Sequence, residues 1–281
     1  MDKNQILQSL GKKTNGEIYL GVVGAVRTGK STFIKKCIEL LVLPNIEDEM
    51  DKKRCMDEIP QSASGKTIMT IEPKFVPSNS AKIKVDNFET NIRLVDCVGY
   101  VIPQAKGYED EMGEPRMVKT PWFEDAIAFD EAAKIGTNKV INDHSTIGIV
   151  VTTDGSIVDI DRESYLKAEE DVINELKSID KPFIVVVNSK EPTSEKAQQV
   201  KQEIEEKYNV TALVMSVENM SQEDATNILQ TALYEFPVTD VEVISPSWIA
   251  ILQEDNPLKV SFKESVNNAI SECKKVKDVK K

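Results

Sequence analysis

Residues 21–32 read GVVGAVRTGKST, with Gly24, Gly29, Lys30 and Ser31 in the spacing G-x-x-x-x-G-K-[ST]. Each residue type has a physical task on an oxyanion. Glycines let the main chain curl so that successive N–H groups point inward. The mouth of a following helix adds the positive end of its dipole. Lys30 brings a compact cation to the β- and γ-phosphates, and the Ser31 hydroxyl is a hard oxygen ligand for Mg²⁺. The loop residues Gly24, Ala25, Val26, Arg27, Thr28, Gly29, Lys30, Ser31 and Thr32 are therefore the candidate phosphate cradle. A second Gly-Lys-Thr, in SASGKT (62–67), lacks the first glycine, since that place is Pro60, and Pro73 closes off a helix.

A phosphate loop needs a carboxylate on a neighbouring strand. IRLVDCVG supplies Asp96 and then Gly99 as D-x-x-G, about 65 residues past the loop, the spacing of G-protein-like domains. Asp96 is expected to hold Mg²⁺ through water and the Gly99 N–H to meet the γ-phosphate. Between them GKTIMTIEP offers Thr70, and second Thr67, to complete the Mg²⁺ shell and sense the γ-phosphate; an ordinary turn threonine is the alternative for both. Tyr100 stands where related proteins place a water-orienting glutamine. Arg27 is a candidate for charge stabilisation, or else a residue pointing to solvent. The lone His144 is left outside the site.

For the base, NSKE (Asn188–Glu191) occupies the place of N-K-x-D, and MSVEN, with Ser216 and Val217, the place of a second base loop. Ser189 replaces the lysine whose stem would lie along guanine, and Glu191 is one methylene longer than aspartate. Discrimination depends on fully paired polar groups, so the base stays open, leaning to ATP over GTP.

These residues must be held by strands and helices. Short β-branched runs at 18–23, 147–153, 183–188 and 212–216 alternate with amphipathic stretches, and AKIKVDN with TNIRLVD reads as a hairpin. The expectation is an α/β P-loop NTPase with a mostly parallel six-stranded sheet and helices on both faces. Residues 1–236 form the nucleotide domain. Residues 237–281 are the start of a following domain or a linker helix, read as a strand, a tight connection and a helix running to the end of the chain, which suggests a fragment. Regions 44–80 and 100–145 interrupt the alternation and receive few elements.

Lys and Arg total 35 against 47 Asp and Glu, a net charge of −12. That argues against a nucleic-acid partner. The four cysteines match no zinc spacing. The first residues, MDKNQILQSLGKK, lack the apolar core expected of a signal peptide, and no apolar run of ~18 residues is found.

The strings YLGVVGAVRTGKSTFIKK, IPQSASGKTIMT, EPKFVP, NIRLVDCVGY, AKGYEDE, HSTIGIVVTTDG and ALYEFPV resemble the N-terminal portion of the stage IV sporulation protein A family, spore-coat morphogenetic ATPases of endospore-forming bacteria. The resemblance covers nearly the whole chain. It implies membership of the translation-factor-related GTPase class, with ATP and Mg²⁺ as ligands. By position it implies Lys30 as the loop lysine, Thr70 as the sensor and Asp96 as the Mg²⁺-linked carboxylate. Ile71 replaces a second threonine often found in the family. It further implies self-assembly into a homopolymer, the basement layer of the spore coat, in the mother-cell cytoplasm at the forespore surface. Implied partners are other coat morphogenetic proteins and, through a C-terminal domain absent here, a small amphipathic membrane-bound peptide. A GTP-dependent switch and a nucleotide-stabilised scaffold are the alternatives.

Overall fold

The computed structural model describes residues 17–60, 73–85, 88–105, 114–239 and 241–280. A six-stranded sheet has the order β2-β3-β1-β6-β7-β8, built from β1 (Glu17–Val23), β2 (Lys74–Val85), β3 (Phe88–Asp96), β6 (Ile147–Thr153), β7 (Phe183–Asn188) and β8 (Ala212–Met215). Every pairing is parallel except β2 with β3, the edge hairpin. The two-residue strands β4 (Met117–Val118) and β5 (Ile127–Ala128) pair separately. All residues of β6 and β7 are buried, as expected where both faces of a parallel sheet are covered.

The helices of this region are α1 (Lys30–Cys37), α2 (Glu49–Glu58), α3 (Phe129–Lys139), α4 (Glu163–Ser178), α5 (Glu195–Tyr208) and α6 (Gln222–Tyr234). The chain moves from β1 to β3 in one direction and from β6 to β7 to β8 in the other. Right-handed crossovers then send α1 to the face opposite α4 and α5. One apolar cluster joins Tyr165, Val172, Ile173 and Leu176 of α4 with Val200 and Ile204 of α5. The expected apolar face of the first helix is buried too, at Phe33, Ile34, Cys37, Ile38 and Leu41. It continues past α1 as a π-type turn over Ile38–Val42. At the start of α6, Ser221 and Asp224 cap each other: the Asp224 N–H donates to Ser221 Oγ at 3.1 Å and Ser221 N–H to Asp224 Oδ2 at 2.9 Å.

One helix of this region was not expected from the sequence, and one expected strand is longer than its pattern suggests. α2 lies within 44–80, is capped by Asp48 and buries only Cys55, so it has little apolar period to detect. β2 begins at Lys74, earlier than AKIKVDN suggests.

The chain divides into two units between Ala232 and Leu233. In the second, the expected strand is absent among the described residues; Pro237 makes an isolated bridge to Lys275. Alternation in VEVI does not make a strand without a partner edge. Two helices follow, α7 (Ser247–Ile251) and α8 (Pro257–Glu272), the latter capped by Asn256. The last helix does not reach the chain end but stops at Glu272, where the Lys275 N–H turns to Asp278 Oδ2 at 2.8 Å. Among the described residues no helix is long and apolar enough to cross a membrane.

Candidate nucleotide site

β1 is where the sheet reverses direction, with β3 on one side and β6 on the other. Ligands of open α/β sheets bind beyond the carboxyl ends of strands at such a point. The loop Gly24–Gly29 leaves β1 there and enters α1, whose N-cap is the left-handed Gly29. Gly24 adopts φ +137°, and a Cβ on it would lie 2.3 Å from the Val151 carbonyl oxygen. Only glycine permits that approach.

The loop is tied to the D-x-x-G segment by two main-chain bonds: Tyr100 N–H to Gly24 O at 3.1 Å and Val26 N–H to Tyr100 O at 2.8 Å. Gly99, at φ +87°, is packed so closely that a Cβ would fall 2.4 Å from Lys30 Nζ. This places the Gly99 main chain and the Lys30 ammonium side by side.

Lys30 is buried and its ammonium donates to Ala25 O at 2.6 Å. Thr28 Oγ1 donates to the same carbonyl at 3.0 Å. Burial pulls the Lys30 pKa down, opposed by the Cys97 and Asp96 charges. Ser31 Oγ donates to Asp96 Oδ2 at 3.3 Å. The other carboxylate oxygen, Asp96 Oδ1, is buried with no hydrogen-bond partner. Burial raises the Asp96 pKa, with Lys30 and the Ser31 hydroxyl working against it. A hydroxyl and an orphaned carboxylate oxygen on adjacent elements are the hard-oxygen donors Mg²⁺ takes. The residues therefore fit the ion.

Tyr100 follows Gly99, but its hydroxyl donates to Asn138 Oδ1 on α3 at 2.8 Å. It is committed to that helix. Arg27 has φ +66°; burial pushes the Tyr165 hydroxyl of α4 up to about 12, and the Arg27 charge works against that rise. Thr32 lies in the first turn of α1. His144 stacks edge-on against Phe75, centroids 5.5 Å apart. Thr67 and Thr70 lie outside the described residues.

At the base end, Asn188 closes β7 and is buried. Its Nδ2 donates to Thr28 O at 3.1 Å, and its Oδ1 accepts the Val217 N–H at 3.1 Å. One side chain thus joins the phosphate loop to the loop after β8. Ser216 accepts from Asn219 there. Glu191 is exposed, and its N–H donates to Ser189 Oγ at 3.1 Å. Ser189 is buried and faces inward, donating to Asp154 Oδ2 at 2.7 Å.

Sequence reasoning passed over Asp154 and Asn138. Asp154 sits in TTDG, directly after a strand, and a lone acid following β-branched residues was the available signal. Nothing local marks Asn138 as the partner of Tyr100. Also unforeseen is a buried ion pair behind the loop: Arg162 meets Glu169 at 2.7 Å, and Thr152 Oγ1 donates to Glu169 at 2.6 Å.

Residues 1–237 match the family model described as stage IV sporulation protein A, ATPase domain. The chain is 56% identical over 280 residues to stage IV sporulation protein A of Bacillus subtilis (strain 168), covering 99% of this chain and 57% of the relative. The Bacillus anthracis protein of the same name is 54% identical with the same coverage. That of Clostridioides difficile (strain 630) is 50% identical over 277 residues, covering 98% of this chain and 56% of the relative. The chain thus spans 57% of the length of the first of these relatives.

Proposed function

The chain belongs to the stage IV sporulation protein A family, and from that premise we propose that it binds ATP and hydrolyses it with Mg²⁺. The observation that carries this reading is the convergence of Ser31 Oγ and Asp96 Oδ2 at 3.3 Å beside the buried, partnerless Oδ1 and the Lys30 ammonium. In this reading Lys30 leaves Ala25 O for the β- and γ-phosphate oxygens. Loop amides from Ala25 to Lys30 cradle the β-phosphate. The Gly99 N–H faces the γ-phosphate. Ser31 and Asp96, with Thr70 completing the set, hold Mg²⁺, which when bound neutralises charge on the phosphate oxygens. Tyr100 is not the group that orients water, because its hydroxyl is held by Asn138.

We place the domain in the translation-factor-related class, supported by the D-x-x-G spacing and the single antiparallel edge hairpin. Residues 237–281 are read as the start of a following domain. The nucleotide cycle drives self-assembly into the basement layer of the spore coat, at the forespore surface in the mother-cell cytoplasm. There the polymer meets other coat morphogenetic proteins and, through a further domain, a membrane-bound amphipathic peptide. The relatives' name and their greater length support this reading.

The test is ATP turnover and nucleotide binding by Lys30→Ala and Asp96→Ala. Loss of binding in the first and of Mg²⁺-dependent turnover in the second is expected; unchanged turnover in both removes the assignment. Glu191, an exposed acid in the base loop, favours a second reading as a GTP switch. Competition of ATP and GTP for one labelled nucleotide separates the two. Assembly that proceeds equally with a non-hydrolysable analogue would instead make the nucleotide a structural ligand.

A further inference from the structure

Asp154 is 2% exposed. Its carboxylate is surrounded by hydroxyls and an amide: Ser156 N–H at 2.9 Å, Ser156 Oγ at 2.5 Å and, at the longer distance of 3.5 Å, Thr153 Oγ1 on Oδ1, and Ser189 Oγ at 2.7 Å on Oδ2. An ionised carboxylate only accepts. Both serine protons are therefore consumed, and both serine oxygens are left with lone pairs alone. Those lone pairs take the two amides of the base loop, Lys190 N–H to Ser156 Oγ at 3.0 Å and Glu191 N–H to Ser189 Oγ at 3.1 Å. The loop is thus pinned at consecutive residues by hydrogen bonds whose polarity the carboxylate sets. Its start is pinned by Asn188 to the phosphate loop and to Val217.

We infer that Asp154 is the positioning residue for the nucleobase: acting through Ser156 and Ser189, it holds residues 188–191 in the shape that receives the base. Ser189, in the place of a lysine stem, is drawn inward by this acid and does not lie over the ring. The inference rests on the triphosphate reading above. It predicts a separation between the two halves of the ligand, since Asp154 touches no residue of the phosphate cradle through these bonds.

The experiment measures Mg²⁺-dependent affinity of the full chain for ATP and for inorganic tripolyphosphate, which has no base. Asp154→Asn places a donor where only an acceptor fits, so one serine hydroxyl must turn and loses the carboxylate that oriented its lone pair toward the loop amide. ATP affinity should fall about tenfold, the scale of a hydrogen bond to a charged group, while tripolyphosphate affinity holds. Ser156→Ala keeps the carboxylate and Ser189, so it reports even if Asp154→Asn does not fold; it should show a smaller loss of the same kind, restored by Ser156→Thr. Unchanged ATP affinity in Ser156→Ala, or parallel loss of both ligands, overturns the inference. A wild-type chain that binds tripolyphosphate as tightly as ATP also overturns it and leaves the phosphate site standing. Binding of neither ligand removes the phosphate reading itself and this inference with it.

Discussion

The two ends of the site treat their polar groups in opposite ways. At the phosphate end a buried ammonium has a main-chain carbonyl as its hydrogen-bond acceptor, and a buried carboxylate oxygen has no partner at all. Burial drives both groups toward their neutral forms. At the base end the buried Asp154 carboxylate collects four donors, and an asparagine spends both ends of its amide on main chain. Burial alone would raise the Asp154 pKa, but hydrogen bonds from Ser156 and Ser189, aided by Lys196, hold it below the usual carboxylate range. The contrast is between a carboxylate with one oxygen unpartnered and a carboxylate with both oxygens bonded. Partnerless buried charge costs stability and is retained where binding recovers the cost. Saturated networks rigidify and specify one shape.

That contrast can be broken by substitution. The largest effect is expected from Lys30→Ala: removing a buried cation from its phosphate partners should weaken ATP binding by roughly a hundredfold or more, read by equilibrium titration with labelled nucleotide. Next, Asp96→Ala should lower Mg²⁺-dependent kcat by roughly a hundredfold, with a smaller change in nucleotide affinity. A third comparison needs no ligand. Asp154→Asn leaves a donor facing hydroxyls that must donate, and should destabilise the chain by about 1–3 kcal/mol in denaturant titration. Asp96→Asn, isosteric and at an atom already unpartnered, should cost under about 1 kcal/mol. Equal costs would erase the distinction between the two ends.

The smallest effect is a pH dependence. The Asp154 carboxyl has a folded value below its ordinary 3.8, so the native state binds its proton less readily than the unfolded chain. Its contribution is present above that ordinary value and is lost as pH falls through the lower folded value. Asp154→Asn should flatten this part of an acid-unfolding curve; an unaltered slope below pH 3.8 would mean the serines do not stabilise the charge.

How much of this was legible depended on sequence distance. The motif is twelve neighbouring residues whose types follow from a local task, and β1, the glycine-capped loop and α1 appear where the pattern puts them. The pairing of Ser31 with Asp96 crosses 65 residues, yet it was readable because each partner carries its own motif. Tyr100 with Asn138, 38 residues apart, and Ser189 with Asp154, 35 apart, have no such motif on one side. They were not readable. The acidic, polar α2 was missed for a related reason: with one buried residue it leaves no stripe. The strand expected after Phe236 failed because alternation records a preference for an edge, and no described strand of that unit offers one.

By itself, then, the order of residues determined the alternation of strands and helices, the strand–loop–helix around Gly24–Lys30 and the family, because these arise from contacts within a few turns of chain or from motifs repeated whole. Only the folded sheet decided which acid would keep an oxygen without a partner and which would have both oxygens bonded. That outcome depends on what lies across the gap between strand ends, where β1 turns the sheet around and brings distant loops within hydrogen-bond reach.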